Sequence, residues 1–165
     1  TGFVSSVPYI FGIIGLLIIP RSSDRLNDRY GHLAALYVVG AIGLFLSAWL
    51  TVPVLQLAAL CLVAFSLFSC TAIFWTLPGR FFAGASAAAG IALINSVGNL
   101  GGYIGPFVIG ALKEYTGNLA SGLYFLSAVM VFGLFLTFVV YRVLERKHVL
   151  KPNEFAASAR SATHL

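Results

Sequence analysis

Five long apolar segments constrain the fold of this 165-residue chain more than any other feature. A helix needs about 20 apolar residues to cross the hydrocarbon core of a bilayer. Segments long enough for this occupy residues 3–20, 33–50, 54–77, 82–112 and 120–141. Short connections, several of them containing Pro or Gly, separate these segments, and such residues stop helices. The sequence therefore predicts an all-α integral membrane protein whose consecutive helices run antiparallel.

The scarcity of charge indicates that lipid rather than water surrounds most of the chain. Only 9% of the residues are charged, whereas a soluble domain carries about 25%. The formal net charge of +5 would suit a nucleic-acid-binding protein. The cations, however, are predicted to lie in connections and in the C-terminal tail, without the basic patch of a nucleic-acid site. We expect membrane lipid as a partner and no nucleic acid.

The distribution of Lys and Arg predicts the orientation of the helices. One side of the membrane receives the connection at residues 21–32, Arg80 and the C-terminal tail, which together hold nearly all the cations. The other side receives Lys113, which is followed by Glu114. Lys and Arg accumulate in cytoplasmic loops. We therefore expect a multi-pass protein of the cell membrane with a cytoplasmic C-terminus.

The chain divides into a bundle and a tail. Residues 1–147 carry the five apolar segments, and residues 148–165 are small and polar. The first residue is Thr1 rather than Met. We expect a fragment of a longer protein, with a transmembrane bundle followed by a cytoplasmic tail.

Ionisable side chains are absent from the middle of all five predicted helices. Proton relays in membranes use such groups, and a metal site would need His and carboxylate or thiolate ligands. A serine-type membrane protease would need a His base within the membrane. The cysteines, Cys61 and Cys70, form no CxxC motif. We therefore expect neither an enzyme nor a metal or cofactor, and any proton coupling would need groups outside this chain.

The fourth segment is rich in glycine. Gly98 and Gly102 are four residues apart, as are Gly101 and Gly105, and Pro106 follows. Small residues at this spacing let membrane helices approach closely. The pattern favours helix packing, either as a static contact or in a helix that bends or slides against a partner.

Two polar pairs have the spacing of one helical face. Asn95 and Asn99 lie four residues apart in the fourth segment, as do Thr71 and Trp75 in the third. The amides either join helices through hydrogen bonds or face a water-filled cavity. Trp75 is alternatively an interfacial aromatic residue, and the Thr71 hydroxyl is able to bond its own helix backbone. Both alternatives stay open from spacing alone.

Two stretches resemble a known family. Residues 23–29 resemble the Asp-Arg-x-Gly-Arg signature that joins the second and third helices of each half of the major facilitator superfamily, although the family glycine is missing. By that match the five helices correspond to the eighth through twelfth of twelve, in the C-terminal six-helix bundle. Residues 74–78 and 87–106 are similar to the anion:cation symporter family, near its tartrate, hydroxyphenylacetate and sugar-acid transporters.

The resemblance implies proton-coupled symport of a small organic carboxylate by alternating access in a bacterial inner membrane, with the substrate near the midplane between two halves. It assigns Trp75 and Asn95 to the substrate cavity, and we add Asn99 and Thr71 as candidates on the same faces. The carboxylate-binding Arg and the proton-coupling acids would belong to the missing N-terminal half.

The resemblance also assigns a gating role to the first connection. Asp24, Arg25 and Arg29 would form part of a cytoplasmic latch, a name kept below for these three residues.

Two alternatives remain open. One is an organic-anion antiporter of the same fold, such as an organophosphate:phosphate exchanger, although these place extra cations in the cavity. The other is a membrane module that transports nothing and packs against partners through its glycine face.

Overall fold

The computed structural model describes residues 2–78 and 85–146 of the chain. Five α-helices follow one another: α1 (Gly2–Leu26), α2 (Arg29–Trp49), α3 (Pro53–Thr76), α4 (Ala85–Thr116) and α5 (Ala120–Arg146). Each contains a stretch that is long and apolar enough to cross a membrane. The all-α membrane fold predicted from the sequence is confirmed. The predicted tail, residues 148–165, lies outside the described residues.

The helices extend further into the charged regions than the apolar segments predicted. α1 continues to Leu26 and α2 begins at Arg29, so most of the predicted connection at residues 21–32 is helical. The reversal needs only Asn27, in the left-handed region with φ 49°, and Asp28. The Asp28 carboxylate accepts a hydrogen bond from the Gly31 amide at 2.8 Å and caps α2. Arg and Leu are good helix formers, and Arg21, Arg25, Leu26 and Arg29 lie in the added turns. Apolarity alone therefore underestimated the helix lengths.

The helices do not pack in the order of the sequence. α1 packs on α3, α3 on α2, α2 on α5, and α5 on α4. The order of neighbours is therefore α1–α3–α2–α5–α4, with α2 in the centre. Within the described part of the chain, α4 packs on α5 alone.

Serine hydroxyls attach both neighbours to the backbone of α2. Ser66 of α3 donates to the Leu36 carbonyl oxygen at 2.5 Å, and Ser127 of α5 donates to the Ala41 carbonyl oxygen at 2.9 Å. Hydrogen bonds of this kind stabilise helix pairs in a bilayer, where the hydrophobic drive between helices is missing. A Cβ atom at Gly40 would lie 2.8 Å from the Ser66 hydroxyl oxygen. Close approach at this glycine therefore permits the first of the two bonds.

The contact between α1 and α3 is also built on a glycine. A Cβ atom at Gly15 would lie 2.5 Å from the Ser69 hydroxyl oxygen and 2.7 Å from the Phe65 carbonyl oxygen. Ser69 is completely buried, and its hydroxyl donates to that same carbonyl oxygen at 2.7 Å. Backbone atoms of α3 have no freedom to yield, so any larger residue at this position must separate the two helices.

We predict that Gly15→Ala destabilises the bundle by about 1–3 kcal/mol, the usual cost of overpacking a close contact. The measurement is the apparent melting temperature of the purified protein in detergent. Gly110→Ala in α4 is the matched control, because its Cβ would meet no described atom within 4 Å. Equal melting temperatures for the two variants would contradict the close packing of α1 on α3.

Candidate functional site

A cleft of about 480 Å³ lies between the end of α3 and the first half of α4. It exists because α4 packs on α5 and leaves a gap toward α3. Seven described residues line it: Phe74, Trp75, Leu93, Ile94, Asn95, Val97 and Gly98. We call it the α3–α4 cleft. Trp75 and Asn95, the residues that the resemblance assigned to a cavity, thus line one cleft, while their role in binding stays a prediction.

Two side chains supply the polar groups in the described lining of the α3–α4 cleft, which is otherwise apolar. These are the Asn95 amide and the indole N–H of Trp75. The ring of Trp75 meets that of Phe74 edge-on, with centroids 5.8 Å apart and planes at 75°. Trp75 is 43% exposed, so much of its surface is available to a ligand. Apolar walls with a few polar groups are typical of small-molecule sites, where the polar groups fix the orientation of the ligand.

The other two candidate binding residues lie outside this lining. The Thr71 hydroxyl donates to the Leu67 carbonyl oxygen at 2.8 Å, within its own helix. Asn99 is exposed one turn beyond Asn95 and is not among the residues that line the cleft. Thr71 shares a helical face with Trp75, and Asn99 shares one with Asn95, but neither Thr71 nor Asn99 lines the α3–α4 cleft. Their substrate contacts stay predictions.

The glycine face of α4 meets no part of the described chain. A Cβ atom at Gly98, Gly101, Gly102 or Gly105 would have no described atom within 4 Å. Pro106 lies inside the same continuous helix. The packing role predicted for this face therefore requires a partner beyond residues 2–78 and 85–146, and stays a prediction.

Two of the three latch residues, Asp24 and Arg29, contact each other. Arg29 and Asp24 form an ion pair, with Nη2 and Oδ1 2.8 Å apart. The Nη1 atom of Arg29 also donates to the Thr76 carbonyl oxygen at 3.4 Å. Arg29 therefore binds the carboxyl end of α3, where a cation is favoured by the helix dipole. Arg25, by contrast, is exposed at the end of α1.

Sequence reasoning missed the small polar residues that fix this connection. Ser23 is almost completely buried, and its hydroxyl donates to the Asp28 carbonyl oxygen at 3.3 Å. The Ser22 hydroxyl and the Nε2 atom of His32 are hydrogen-bonded at 3.3 Å. Two serines directly before an Asp-Arg pair were the available signal. These bonds tie the end of α1 to the start of α2, next to the Asp24–Arg29 ion pair.

A metal centre finds no support in residues 2–78 and 85–146, where no group of three His, Cys, Asp or Glu residues is placed to hold an ion.

Comparison with known proteins finds relatives that are named as transporters. No family model matches it. It is 77% identical over 146 residues to the "Quinolone resistance transporter" of Acinetobacter baumannii, covering 88% of the chain and 34% of that protein. It is 38% identical over 141 residues to a "Putative tartrate transporter" of Agrobacterium vitis, covering 86% of the chain and 31% of the relative. It is 33% identical over 137 residues to the "Inner membrane transport protein RhmT" of Escherichia coli, covering 83% and 32%.

The chain thus spans about a third of the length of the curated relatives it matches. All three names denote transport rather than catalysis. Together with the five apolar helices, these relatives support a multi-pass membrane protein.

We predict that Arg29→Ala loosens the last turn of α3. A hydrogen bond from a charged group contributes about 1.5 kcal/mol or more, so the amides of that turn should exchange roughly ten times faster with solvent. The measurement is hydrogen–deuterium exchange of peptides that end near Thr76. Arg25→Ala removes the same charge from the exposed side of the connection and should leave the exchange unchanged. Equal amide exchange rates in the two variants would show that Arg29 does not stabilise the last turn of α3.

Proposed function

We propose that this chain forms the C-terminal part of a major facilitator superfamily transporter and supplies its eighth through twelfth helices. The Asp-Arg motif at Asp24 and Arg25, in the last turn of α1 next to the reversal into α2, supports this assignment. The relatives are about three times as long as the matched region, which leaves room for the remaining helices. On this proposal the glycine face of α4 packs on the missing N-terminal half of the same protein.

The transported substrate, we propose, is a small organic carboxylate that binds in the α3–α4 cleft, and the coupling is symport with protons. The observation that carries this proposal is the presence of Asn95 and Trp75 in one otherwise apolar cleft. An amide N–H and an indole N–H are both able to donate to a carboxylate oxygen. The described lining of the cleft holds no cation. On this proposal the Arg that balances the substrate charge and the acids that carry protons come from the N-terminal half.

The latch offers a mechanical link between the cytoplasmic surface and this cleft. Arg29 bonds the carbonyl oxygen of Thr76, the residue directly after Trp75. If Arg29 is released from Asp24 and Thr76 when the transporter changes state, the turn that presents Trp75 gains freedom at the same moment. The proposal is that closing the latch fixes one wall of the substrate cleft, as alternating access requires.

Export of an aromatic carboxylate is a second candidate, and a specific observation favours it. The relative with 77% identity is named for quinolone resistance. Quinolones are flat aromatic carboxylic acids, and the side chains of Phe74, Trp75 and Leu93 offer an apolar surface of matching chemistry. Import of a metabolite and export of a drug differ in direction, not in the chemistry of the cleft.

Transport by the full-length protein in oriented vesicles tests both candidates. For the symporter we expect uptake of tartrate or an aromatic acid into right-side-out vesicles, driven by an inward proton gradient and abolished by a protonophore. For the exporter we expect accumulation of a fluorescent quinolone in inside-out vesicles. A requirement for substrate preloaded on the far side would identify an antiporter. Absence of transport for all of these solutes would favour the packing module.

We predict that Asn95→Ala raises the substrate concentration for half-maximal transport about tenfold or more, because a hydrogen bond to a charged group contributes about 1.5–3 kcal/mol. The measurement is the concentration dependence of initial transport rates at equal membrane expression. Asn99→Ala removes the same amide one turn further along α4, outside the cleft lining, and serves as the control. If Asn95→Ala leaves the substrate concentration for half-maximal transport unchanged, Asn95 does not bind substrate, and the alternative that it joins helices by hydrogen bonds is favoured.

A further inference from the structure

A second cleft, of about 390 Å³, lies between the start of α2 and the end of α5. Eight residues line it: Asp28, Tyr30, Gly31, Ala34, Leu134, Thr137, Phe138 and Tyr141. Nearer the middle of the bundle the same two helices touch closely, since a Cβ atom at Gly133 would lie 2.6 Å from the ring of Tyr37. The opening is therefore confined to the end of the helix pair, and we call it the α2–α5 cleft.

The α2–α5 cleft is apolar inside and polar at its rim. Ala34 and Leu134 belong to its interior turns, whereas Asp28, Tyr30 and Tyr141 lie at the helix ends. The two tyrosine rings are 5.9 Å apart between centroids, with their planes at 57°. One carboxylate and two aromatic rings thus meet at one opening, which is an arrangement that attracts a cation.

A positive charge stands beside the same opening. The guanidinium carbon of Arg142 lies 4.8 Å from the ring centroid of Phe138, which lines the cleft. Guanidinium groups bind phosphate oxygens through paired hydrogen bonds. The rim therefore presents a site for a cation, at Asp28 and the tyrosines, next to a site for an anion, at Arg142.

We propose that the α2–α5 cleft binds a phospholipid whose zwitterionic headgroup carries a primary ammonium, namely phosphatidylethanolamine. The ammonium would lie at Asp28 and the tyrosine rings, the phosphate at Arg142, and an acyl chain along Ala34 and Leu134. Tyrosines at a membrane surface lie at headgroup level, which matches the depth that this pose requires. An anionic headgroup would bring its charge toward the Asp28 carboxylate, and a choline headgroup has no N–H to donate to it.

The site is separate from the α3–α4 cleft, because α2 lies between α3 and α5. The proposal therefore does not depend on what the protein transports. It also differs from a plain aromatic belt, which would need neither a carboxylate nor a cation at the opening.

The test is native mass spectrometry of the full-length protein in detergent with equal amounts of phosphatidylethanolamine, phosphatidylglycerol and phosphatidylcholine. We expect at least fivefold higher retention of phosphatidylethanolamine than of either other lipid. Asp28→Asn should reduce that retention at least fivefold. Asn caps helices about as well as Asp, so this substitution removes the charge and keeps the start of α2. Glu114→Gln, an equal charge change at an exposed position near the end of α4 and outside the cleft, should change nothing.

Two results would overturn the proposal. One is equal retention of the three lipids by the parent protein, and the other is undiminished phosphatidylethanolamine retention in Asp28→Asn. If Asp28→Asn yields no folded protein, Arg142→Gln decides instead, because Arg142 is exposed and its loss removes the phosphate contact together with the cation–π contact to Phe138. Retention by Arg142→Gln equal to that of the parent protein would likewise reject the site.

Discussion

The architecture depends on two hydrogen bonds that end on the backbone of one helix. Ser66 and Ser127 donate to carbonyl oxygens of α2 from opposite neighbours, α3 and α5. In lipid, where apolar contact between helices gains little over contact with acyl chains, close approach and polar bonds of this kind decide which helices are neighbours. α2 is therefore the central element. The α2–α5 cleft opens along α2 itself, and the α3–α4 cleft opens beyond its neighbour α3.

The number of helices and their type followed from the sequence, because a length of apolar residues is sufficient to identify a membrane helix. Their ends did not, because the charged turns of α1 and α2 continue the helix beyond the apolar segments. The order of neighbours was also not predictable. The spacing of glycines singled out α4, whereas the tight glycine contacts of the described chain lie on other helices, among them those at Gly15, Gly40 and Gly133. Spacing identifies a face that permits close approach and carries no information on its partner.

The candidate site was predictable only in part. The resemblance to a transporter family brought together Trp75 and Asn95, which line one cleft although they lie on different helices. Helical spacing added Thr71 and Asn99, and these lie outside the lining because periodicity gives a direction around the helix but not the extent of a cavity along it. The rim of the α2–α5 cleft escaped sequence reasoning, since its residues come from distant parts of the chain.

The attachment of α4 to α5 alone, within the described chain, has a consequence for biogenesis. α4 leaves the ribosome before α5 exists, so it enters the bilayer without a helix from this region to receive it. α3, in contrast, emerges when both of its partners, α1 and α2, have already been made. Until α5 is complete, α4 therefore has no neighbour among the described helices of this region, and its early residence in the bilayer rests on its own apolar character.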